Sequence, residues 1–357
     1  MSELFKPSAW LTGLLLLSWT ASGQWINRLD SLMAAQESPG AVVLIQNGNR
    51  TLYRRAVGYA RIDTKEALTT GSALRMASLS KQFTAMAVLI LEKEGKLSLD
   101  DPLSRFLPES RRPAITLRHL LTHTSGVPDY EERMDTTWRR QILDEDVWNL
   151  LKGDTGTYFT PGAAFRYSNS GFCLLSLVVE KASGVPYARF LREQIFRPLG
   201  MTHTFLYEER AAHPERALGY ARGNDGKIVA SDQSLTSATR GDGCVYTSAD
   251  DYLRWHLALA KGIPVDIPRK IREVAYPFPE HNGYGYGLGW FGGPDRTYFH
   301  SGSTCGFSNV VIRRDDLLLV FFSNLADNHA FFGKILEMLD PALVPSIDWE
   351  MLHRLTN

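Results

Sequence analysis

Ser78 and Lys81 form an S-x-x-K motif, SLSK over residues 78–81, at the start of an apolar segment with helical spacing. Residues three apart lie on the same face of a helix, so the amine of Lys81 can reach the hydroxyl of Ser78. A helix N-terminus also supplies unpaired N–H groups and partial positive charge where an oxyanion would develop. A lysine packed there can have its pKa lowered towards about 7–8 and act as a base. The spacing favours Ser78 as nucleophile and Lys81 as its base, although about one chance S-x-x-K is expected in a chain with this many serines.

Tyr167 and Asn169 belong to the only Y-x-N motif in the chain. The motif follows a Thr-Pro-Gly turn and precedes an apolar helix predicted from Phe172. A tyrosine beside a cation can shuttle a proton, and an asparagine can hydrogen-bond a substrate amide. The motif therefore makes Tyr167 a candidate catalytic residue and Asn169 a candidate substrate ligand, with a packed tyrosine at a helix entrance as the alternative.

His300, Ser301 and Gly302 form an H-x-G motif at the end of a strand-like run. A glycine there leaves backbone N–H groups free to bind a substrate along the strand edge, so all three are candidate substrate-binding residues. The next N–H, that of Ser303, is a candidate oxyanion donor together with that of Ser78. A second H-x-G begins at His281, but it precedes a glycine-rich stretch instead of an apolar hairpin.

Apolar periodicity predicts strands near both ends of the chain and helices between them. The predicted helices cover about residues 24–36, 80–94, 147–151, 172–183, 249–260 and 330–339, and the predicted strands about residues 41–46, 51–59, 286–291, 297–300, 309–313 and 317–323. Asn47–Asn49 is typical of a hairpin turn. This order predicts an α+β fold in which distant segments complete one antiparallel sheet.

Charge and cysteine usage narrow the partner classes. Lys plus Arg and Asp plus Glu both number 39, and the formal net charge is zero. Without a basic block, the chain is not expected to bind nucleic acid, and a small-molecule or peptide-like substrate is favoured.

Cys173, Cys244 and Cys305 are too few for a disulfide framework and are expected to be small buried hydrophobes. His119 and His123 lack the Glu of H-E-x-x-H and an obvious third ligand, so no metal site is predicted.

The first 23 residues have the pattern of a secretory signal peptide: a lysine near the start, a short apolar run and the small residues Ala21-Ser22-Gly23. The apolar run is shorter than the roughly 20 residues that span a membrane. We therefore expect a secreted or periplasmic protein comprising residues 24–357, with no stable membrane span after cleavage. An uncleaved N-terminal anchor, with the domain outside the cytoplasm, is the alternative.

The three motifs, in this order, resemble those of class C β-lactamases and penicillin-binding-protein-like serine hydrolases. Four further phrases strengthen the resemblance: LLTHTSG at residues 120–126, PLGM at 198–201, GDGCVY at 241–246 and YGLGW at 286–290. It runs from about Gly40 to Leu339. It implies a β-lactamase/transpeptidase-like fold, with an antiparallel sheet flanked by helices and a mostly helical region inserted at about residues 98–271. It also implies hydrolysis of an amide or ester (a D-amino-acid peptide, an ester or a β-lactam) through an acyl-enzyme, with no metal or organic cofactor. A non-catalytic or acylation-only penicillin or peptidoglycan sensor is the alternative.

His300 departs from the β-lactamase pattern, because those enzymes carry a lysine at this place. A histidine is mostly neutral near pH 7 and gives a substrate carboxylate no fixed positive charge. The sequence therefore predicts that esters or neutral amides are better substrates than penicillins, and that imidazolium formation towards about pH 6 reduces this preference.

Overall fold

The computed structural model describes residues 23–36, 38–112, 114–135, 137–207, 216–281, 283–344 and 347–348. The predicted signal peptide lies outside these residues except for Gly23. Among the helices of the described ranges, none is sufficiently long and apolar to cross a bilayer.

The main sheet has nine antiparallel strands in the order β3-β2-β1-β14-β13-β12-β11-β10-β9 within the described residues. The strands are β1 (Gly40–Asn47), β2 (Arg50–Arg61), β3 (Glu66–Ala67), β9 (Tyr276–Pro277), β10 (Gly285–Gly287), β11 (Trp290–Gly292), β12 (Thr297–Thr304), β13 (Phe307–Arg314) and β14 (Leu317–Ser323). The two ends of the chain meet where β1 pairs with β14, from Ala41 opposite Ser323 to Asn47 opposite Leu317. The predicted sheet completed by distant segments is confirmed.

The helices of the described residues are α1 (23–34), α2 (Lys81–Lys93), α3 (Leu117–Leu121), α4 (Asp144–Leu151), α5 (Asn169–Ser183), α6 (Tyr187–Leu191), α7 (Arg240–Gly243), α8 (Ala249–Ala260), α9 (Ile267–Val274) and α10 (His329–Met338). Most of them lie between the two groups of sheet-forming segments. The predicted α+β class with flanking helices is therefore confirmed.

Strand β1 shows how the sheet divides the core into two layers. Its residues Val42 and Leu44 pack with the central helices, whereas Val43 and Ile45 pack with the terminal helices α1 and α10. Because successive side chains of a strand point to opposite faces, an unbroken apolar run is required when both faces are buried.

The region between the two groups of strands is less uniformly helical than predicted. It contains β5 (Phe205–Leu206) and β8 (Val245–Thr247), which form a small sheet with β4 (Leu74–Arg75). It also contains a hairpin of β6 (Tyr220–Arg222) and β7 (Ile228–Ala230). Strands of two or three residues are too short to show an alternating pattern, which explains why periodicity did not identify them.

Among the described residues, three histidines are buried: His123, His256 and His300 are each 2% exposed. Burial, and second the charge of Arg313, lowers the pKa of His256 to about 3. Burial also lowers the pKa of His300 to about 3 and places that of His123 well below its ordinary value. The fold therefore holds all three imidazoles in the neutral form at neutral pH.

We predict that these histidines destabilise the protein in mild acid. Their pKa is near 6.5 in the unfolded chain and lower in the fold, so unfolding takes up protons below pH 6.5 and stability falls as pH decreases towards about 3. Each contributes a slope of up to about 1.4 kcal/mol per pH unit. Urea unfolding at pH 7, 6 and 5 measures the slope, and His256→Gln should remove about one proton from the uptake. A free energy of unfolding that is constant from pH 7 to 5 would contradict this.

Candidate active site

Ser78 lies in a 3-10 turn, Ala77–Ser80, that joins β4 to the buried helix α2. Ala77 has a φ of +49°, a left-handed conformation that side chains rarely adopt. Ser78 is partly exposed, whereas the other three residues of the turn are buried. The strained turn therefore presents one hydroxyl outward from an otherwise buried segment.

Strand β8 holds this turn from one side. The N–H of Met76 donates to the carbonyl of Val245 at 2.8 Å, and the N–H of Val245 donates to the Ser80 hydroxyl at 3.1 Å. The second serine of the S-x-x-K motif thus has a structural role, which distinguishes it from Ser78.

Strand β12 holds the turn from the other side through Gly302. A Cβ on Gly302 would lie 2.1 Å from the carbonyl oxygen of Met76 and 3.3 Å from the Cβ of Ala77. The close approach of β12 to Met76 and Ala77 is sufficient to explain why residue 302 is a glycine. Substrate binding by Gly302 stays a prediction.

Lys81, in the first turn of α2, is fully buried. Its Nζ donates to Ser78 Oγ at 3.1 Å, to Asn169 Oδ1 at 2.8 Å and to the Asp242 carbonyl at 3.1 Å. The ammonium thereby uses its three N–H donors on three separate segments of the chain.

The protonation of Lys81 differs from the sequence prediction. Burial by itself disfavours the charged amine, but Tyr167 and the Asp242 carboxylate outweigh it, and the pKa of Lys81 is raised. The predicted lowering towards 7–8 is therefore wrong. In the resting protein Lys81 is an ammonium that holds Ser78, not a free amine.

Asp242 is a neighbour that sequence reasoning missed. It is 6% exposed, burial raises its pKa, and its Oδ1 has no hydrogen-bond partner among the described residues. Its segment is held by Asp144, which accepts hydrogen bonds from Arg240 Nε at 2.9 Å and from the N–H of Arg240 at 3.1 Å. Burial raises the pKa of Asp144 to about 6 despite this pairing. The sequence signal for Asp242 is its place in the GDGCVY phrase. A single sequence does not distinguish a functional acid at this place from a turn residue.

Tyr167 packs against Lys81: the Nζ of Lys81 lies 5.0 Å from the centroid of the Tyr167 ring. The hydroxyl of Tyr167 is buried and has no hydrogen-bond partner within the described part of the chain. Its ring packs against the ring of His123 at an interplanar angle of 37°, with centroids 4.2 Å apart. The structure thus brings Ser78, Lys81 and Tyr167 together, although they are separated by up to 89 positions in the numbering.

His123, in the LLTHTSG phrase, was considered in the sequence only as half of a histidine pair. Its Nδ1 accepts a hydrogen bond from the N–H of Ser168 at 3.2 Å, and its ring also contacts Phe172. His119 instead accepts from the N–H of Thr116 at 3.2 Å. His123 therefore supports the Y-x-N segment through the hydrogen bond from the Ser168 N–H and through ring packing against Tyr167.

His300 is buried behind Tyr167, with ring centroids 6.2 Å apart. Its Nδ1–H donates to the carbonyl of Ser301 at 2.5 Å, and Tyr286 lies 3.5 Å from its Nε2. Because its pKa is lowered to about 3, the predicted imidazolium near pH 6 does not form. That expectation is wrong, and the neutral imidazole packs in an aromatic cluster away from the residues that line the cavity beside Ser78.

The cavity beside Ser78 includes both predicted oxyanion residues, Ser78 and Ser303, together with Asn169. It is further lined by residues that sequence reasoning did not select, among them Arg75, Tyr130, Glu131, Thr239 and Asp242. They come from a strand end, two short helices and a loop, whose order in the sequence does not indicate their proximity.

The three cysteines form no disulfide. Cys173 and Cys244 are buried, as predicted for small hydrophobes, whereas Cys305 is half-buried. Cys173 brings its sulfur within 4.8 Å of carboxylate oxygens of Asp144 and Asp242. Because the Asp144 carboxylate already forms an ion pair with Arg240, we interpret Asp144, Cys173 and Asp242 as a buried acidic cluster that supports the Ala77–Ser80 turn.

Comparison with known proteins identifies the family. The family model described as Beta-lactamase matches residues 25–339. The chain belongs to the beta-lactamase family. It is 34% identical to penicillin-binding protein 4* of Bacillus subtilis over 325 residues, which are 84% of this chain and 71% of that protein. Two further relatives, both Protein flp from strains of Staphylococcus aureus, are longer, and the chain covers 63% of their length.

Solved structures of related proteins agree with this family assignment. A penicillin-binding protein from Bacillus halodurans superposes with a TM-score of 0.75 at 27% identity, over 87% of this chain and all of that one. A D-stereospecific amidohydrolase from Streptomyces superposes with a TM-score of 0.68 at 26% identity, over 85% of this chain and 96% of that one. The predicted family and fold are confirmed, and the family's hydrolases support hydrolase activity.

We predict that Gly302→Ala displaces the nucleophile turn. The added methyl group meets the Met76 carbonyl, so we expect a loss of about 1–3 kcal/mol in stability and at least about a tenfold loss of hydrolysis. Urea unfolding and initial rates with one ester measure both. Gly292→Ala is the control, because its Cβ would lie 3.9 Å from the Tyr298 ring, and it should leave both quantities nearly unchanged. Equal effects of the two substitutions would rule out a specific role for Gly302.

Proposed function

We propose that this protein is a serine hydrolase that cleaves an amide or ester through an acyl-enzyme on Ser78. The observation that supports this most is the 3.1 Å contact between Lys81 Nζ and Ser78 Oγ. The same ammonium lies 5.0 Å from the centroid of the Tyr167 ring, whose hydroxyl has no hydrogen-bond partner among the described residues. A partly exposed serine held by a buried cation next to an available proton carrier is an arrangement suited to nucleophilic catalysis.

In the proposed reaction, the phenolate form of Tyr167 takes the proton of the Ser78 hydroxyl while Ser78 Oγ bonds to the substrate carbonyl carbon, whose oxygen becomes the oxyanion. The bond from that carbon to the leaving nitrogen or oxygen then breaks, and the leaving group takes the proton. Lys81 remains an ammonium throughout, positions Ser78 and stabilises the negative charge of the Tyr167 phenolate, which returns when the leaving group takes the proton. Water attacks the acyl-enzyme and releases the acid, with the same groups acting in reverse.

The backbone N–H groups of Ser78 and Ser303 are the proposed oxyanion donors, since both residues line the cavity. Asn169 lines it as well, with its Oδ1 accepting from Lys81. We propose that the Asn169 amide nitrogen and the edge of β12 at Ser301 and Ser303 bind the substrate. The neutral His300 supports this edge from behind and does not bind the substrate itself.

The charged residues of the cavity favour substrates without a carboxylate. Glu131 is exposed at the cavity, and Asp242 lines its wall. Arg75 is the cation among the described lining residues, but its Nη1 and Nη2 already donate to Gln233 and to the Ser237 carbonyl. A penicillin carboxylate would therefore meet Glu131 before any available cation. The name of the Streptomyces relative, a D-stereospecific amidohydrolase, supports an amide as the natural substrate class.

We predict that a fluorophosphonate probe labels Ser78 and that Ser78→Ala abolishes both labelling and hydrolysis. Tryptic mass spectrometry locates the adduct on the peptide. Ser80→Ala is a matched control in the same turn: it removes the acceptor of the Val245 N–H, costing about 1 kcal/mol of stability, but should still be labelled. Label on another peptide, or unimpaired hydrolysis by Ser78→Ala, would exclude the assignment. A permanent adduct without turnover of any ester or amide would favour an acylation-only sensor.

We further predict that Glu131→Gln improves penicillin acylation relative to acylation by a neutral ester by about threefold to tenfold, since it removes a negative charge from the cavity. Stopped-flow acylation with one penicillin and one ester gives the ratio. Glu132→Gln is the control, because Glu132 is paired with Arg166 at 2.8 Å. The charge argument fails if the wild type already prefers penicillins and the two variants give the same ratio.

For localisation, we propose export with cleavage after Gly23, giving a mature chain that begins at Gln24. N-terminal sequencing of the exported protein should read Gln24-Trp25. An intact Met1 on membrane-bound protein would support the anchored alternative.

A further inference from the structure

A second cavity, of about 470 Å³, lies where β12 and β13 meet the end of α8 and the start of α9. Its walls carry four cationic side chains, those of Lys261, Arg272, Arg296 and Arg313. The reaction proposed for Ser78 uses none of them. Tyr298, on the wall of this cavity, precedes Ser303 by five positions on β12, so the two cavities are roughly 17 Å apart along the strand.

Arg313 is the deepest of these cations. Its side chain is 4% exposed, and its Nη1 is buried without a hydrogen-bond partner. Within the described residues, no carboxylate lies at ion-pair distance from it. A buried arginine is always charged and is normally paired, because an isolated charge in a protein interior is strongly unfavourable.

Asp266, Asp315 and Asp316 line the cavity, and no ion pair of the described residues joins any of them to Arg313, although the charges of Asp266 and Asp315 oppose the effect of burial on its pKa. Asp266 accepts a hydrogen bond from the N–H of Arg269 at 3.0 Å and so caps α9. Asp315 is exposed and lies 3.9 Å from Arg296. The field of Arg313 remains strong enough to add to the effect of burial on His256, whose Nδ1 is also buried without a partner.

We propose that this cavity binds a phosphate group, with Arg313 at its base and Arg272 and Lys261 at its rim. A guanidinium presents several N–H donors in one plane and matches the oxygens of a phosphate. Arg272 and Lys261 are exposed and take part in no ion pair of the described residues, so both are free to approach the remaining oxygens. The phosphate supplies the negative charge that Arg313 lacks.

Isothermal titration calorimetry of the full protein with inorganic phosphate, at constant ionic strength set with sodium chloride, tests the site. We expect saturable one-to-one binding, weakened at least about tenfold by Arg272→Gln and abolished by Arg313→Met. Arg269→Gln is the matched control on the same helix: Arg269 lies 3.7 Å from Glu273 and does not line the cavity, so this variant should bind like the wild type. A parallel titration with glycerol phosphate shows whether a phosphate monoester or the free anion fits better, and acetate should bind at least about tenfold more weakly than phosphate.

The absence of saturable phosphate binding by the wild type would overturn the proposal. Equal weakening by Arg269→Gln and Arg272→Gln would also overturn it, because it would show non-specific charge attraction. If Arg313→Met does not fold, the double variant Lys261→Gln/Arg272→Gln decides, since both positions are exposed. Unchanged binding by that variant would refute the site. None of these results depends on hydrolysis by Ser78.

Discussion

The burial of the Lys81 ammonium is the constraint on which the active site depends. A charge with no access to water must be surrounded by acceptors, and Lys81 finds them in Ser78, Asn169 and the Asp242 carbonyl. These acceptors come from the nucleophile turn, from the start of α5 and from α7. Removing any of them leaves the cation short of a partner, so the same interaction that positions Ser78 also joins three parts of the fold.

Strand β12 lies in close contact with the Ala77–Ser80 turn, and this contact shapes the environment of the Lys81 ammonium. Gly302 allows the strand to touch Met76, and β8 fixes the turn from the other side. Strand β12 lies more than 200 residues after β1, and the two belong to one sheet because β1 pairs with β14, β14 with β13 and β13 with β12. Long-range strand pairing therefore determines the geometry around one hydroxyl.

The sequence predicted the parts of this arrangement that depend on local spacing. Ser78 and Lys81 are three positions apart, and the hairpin and helix patterns required only short windows. It could not predict the sign of the Lys81 pKa shift, because the Asp242 and Tyr167 groups that raise it come from distant segments. The same reason explains His300: its motif indicated a strand end, but only the packed structure shows that the imidazole lies in an aromatic cluster. Glu131 and Arg75 carried no local signal at all, since their relation to Ser78 exists only in the fold.

Two buried cations of the described residues illustrate what a buried charge requires. Lys81 is 0% exposed and Arg313 is 4% exposed. Lys81 has three acceptors and acidic neighbours that keep it protonated, whereas burial lowers the pKa of Arg313 and its Nη1 has no acceptor. The contacts of Lys81 are complete without a ligand, as the proposed reaction requires of a preorganised ammonium. Arg313 faces an open cavity. The proposed anion would supply there the partner that the chain itself supplies for Lys81.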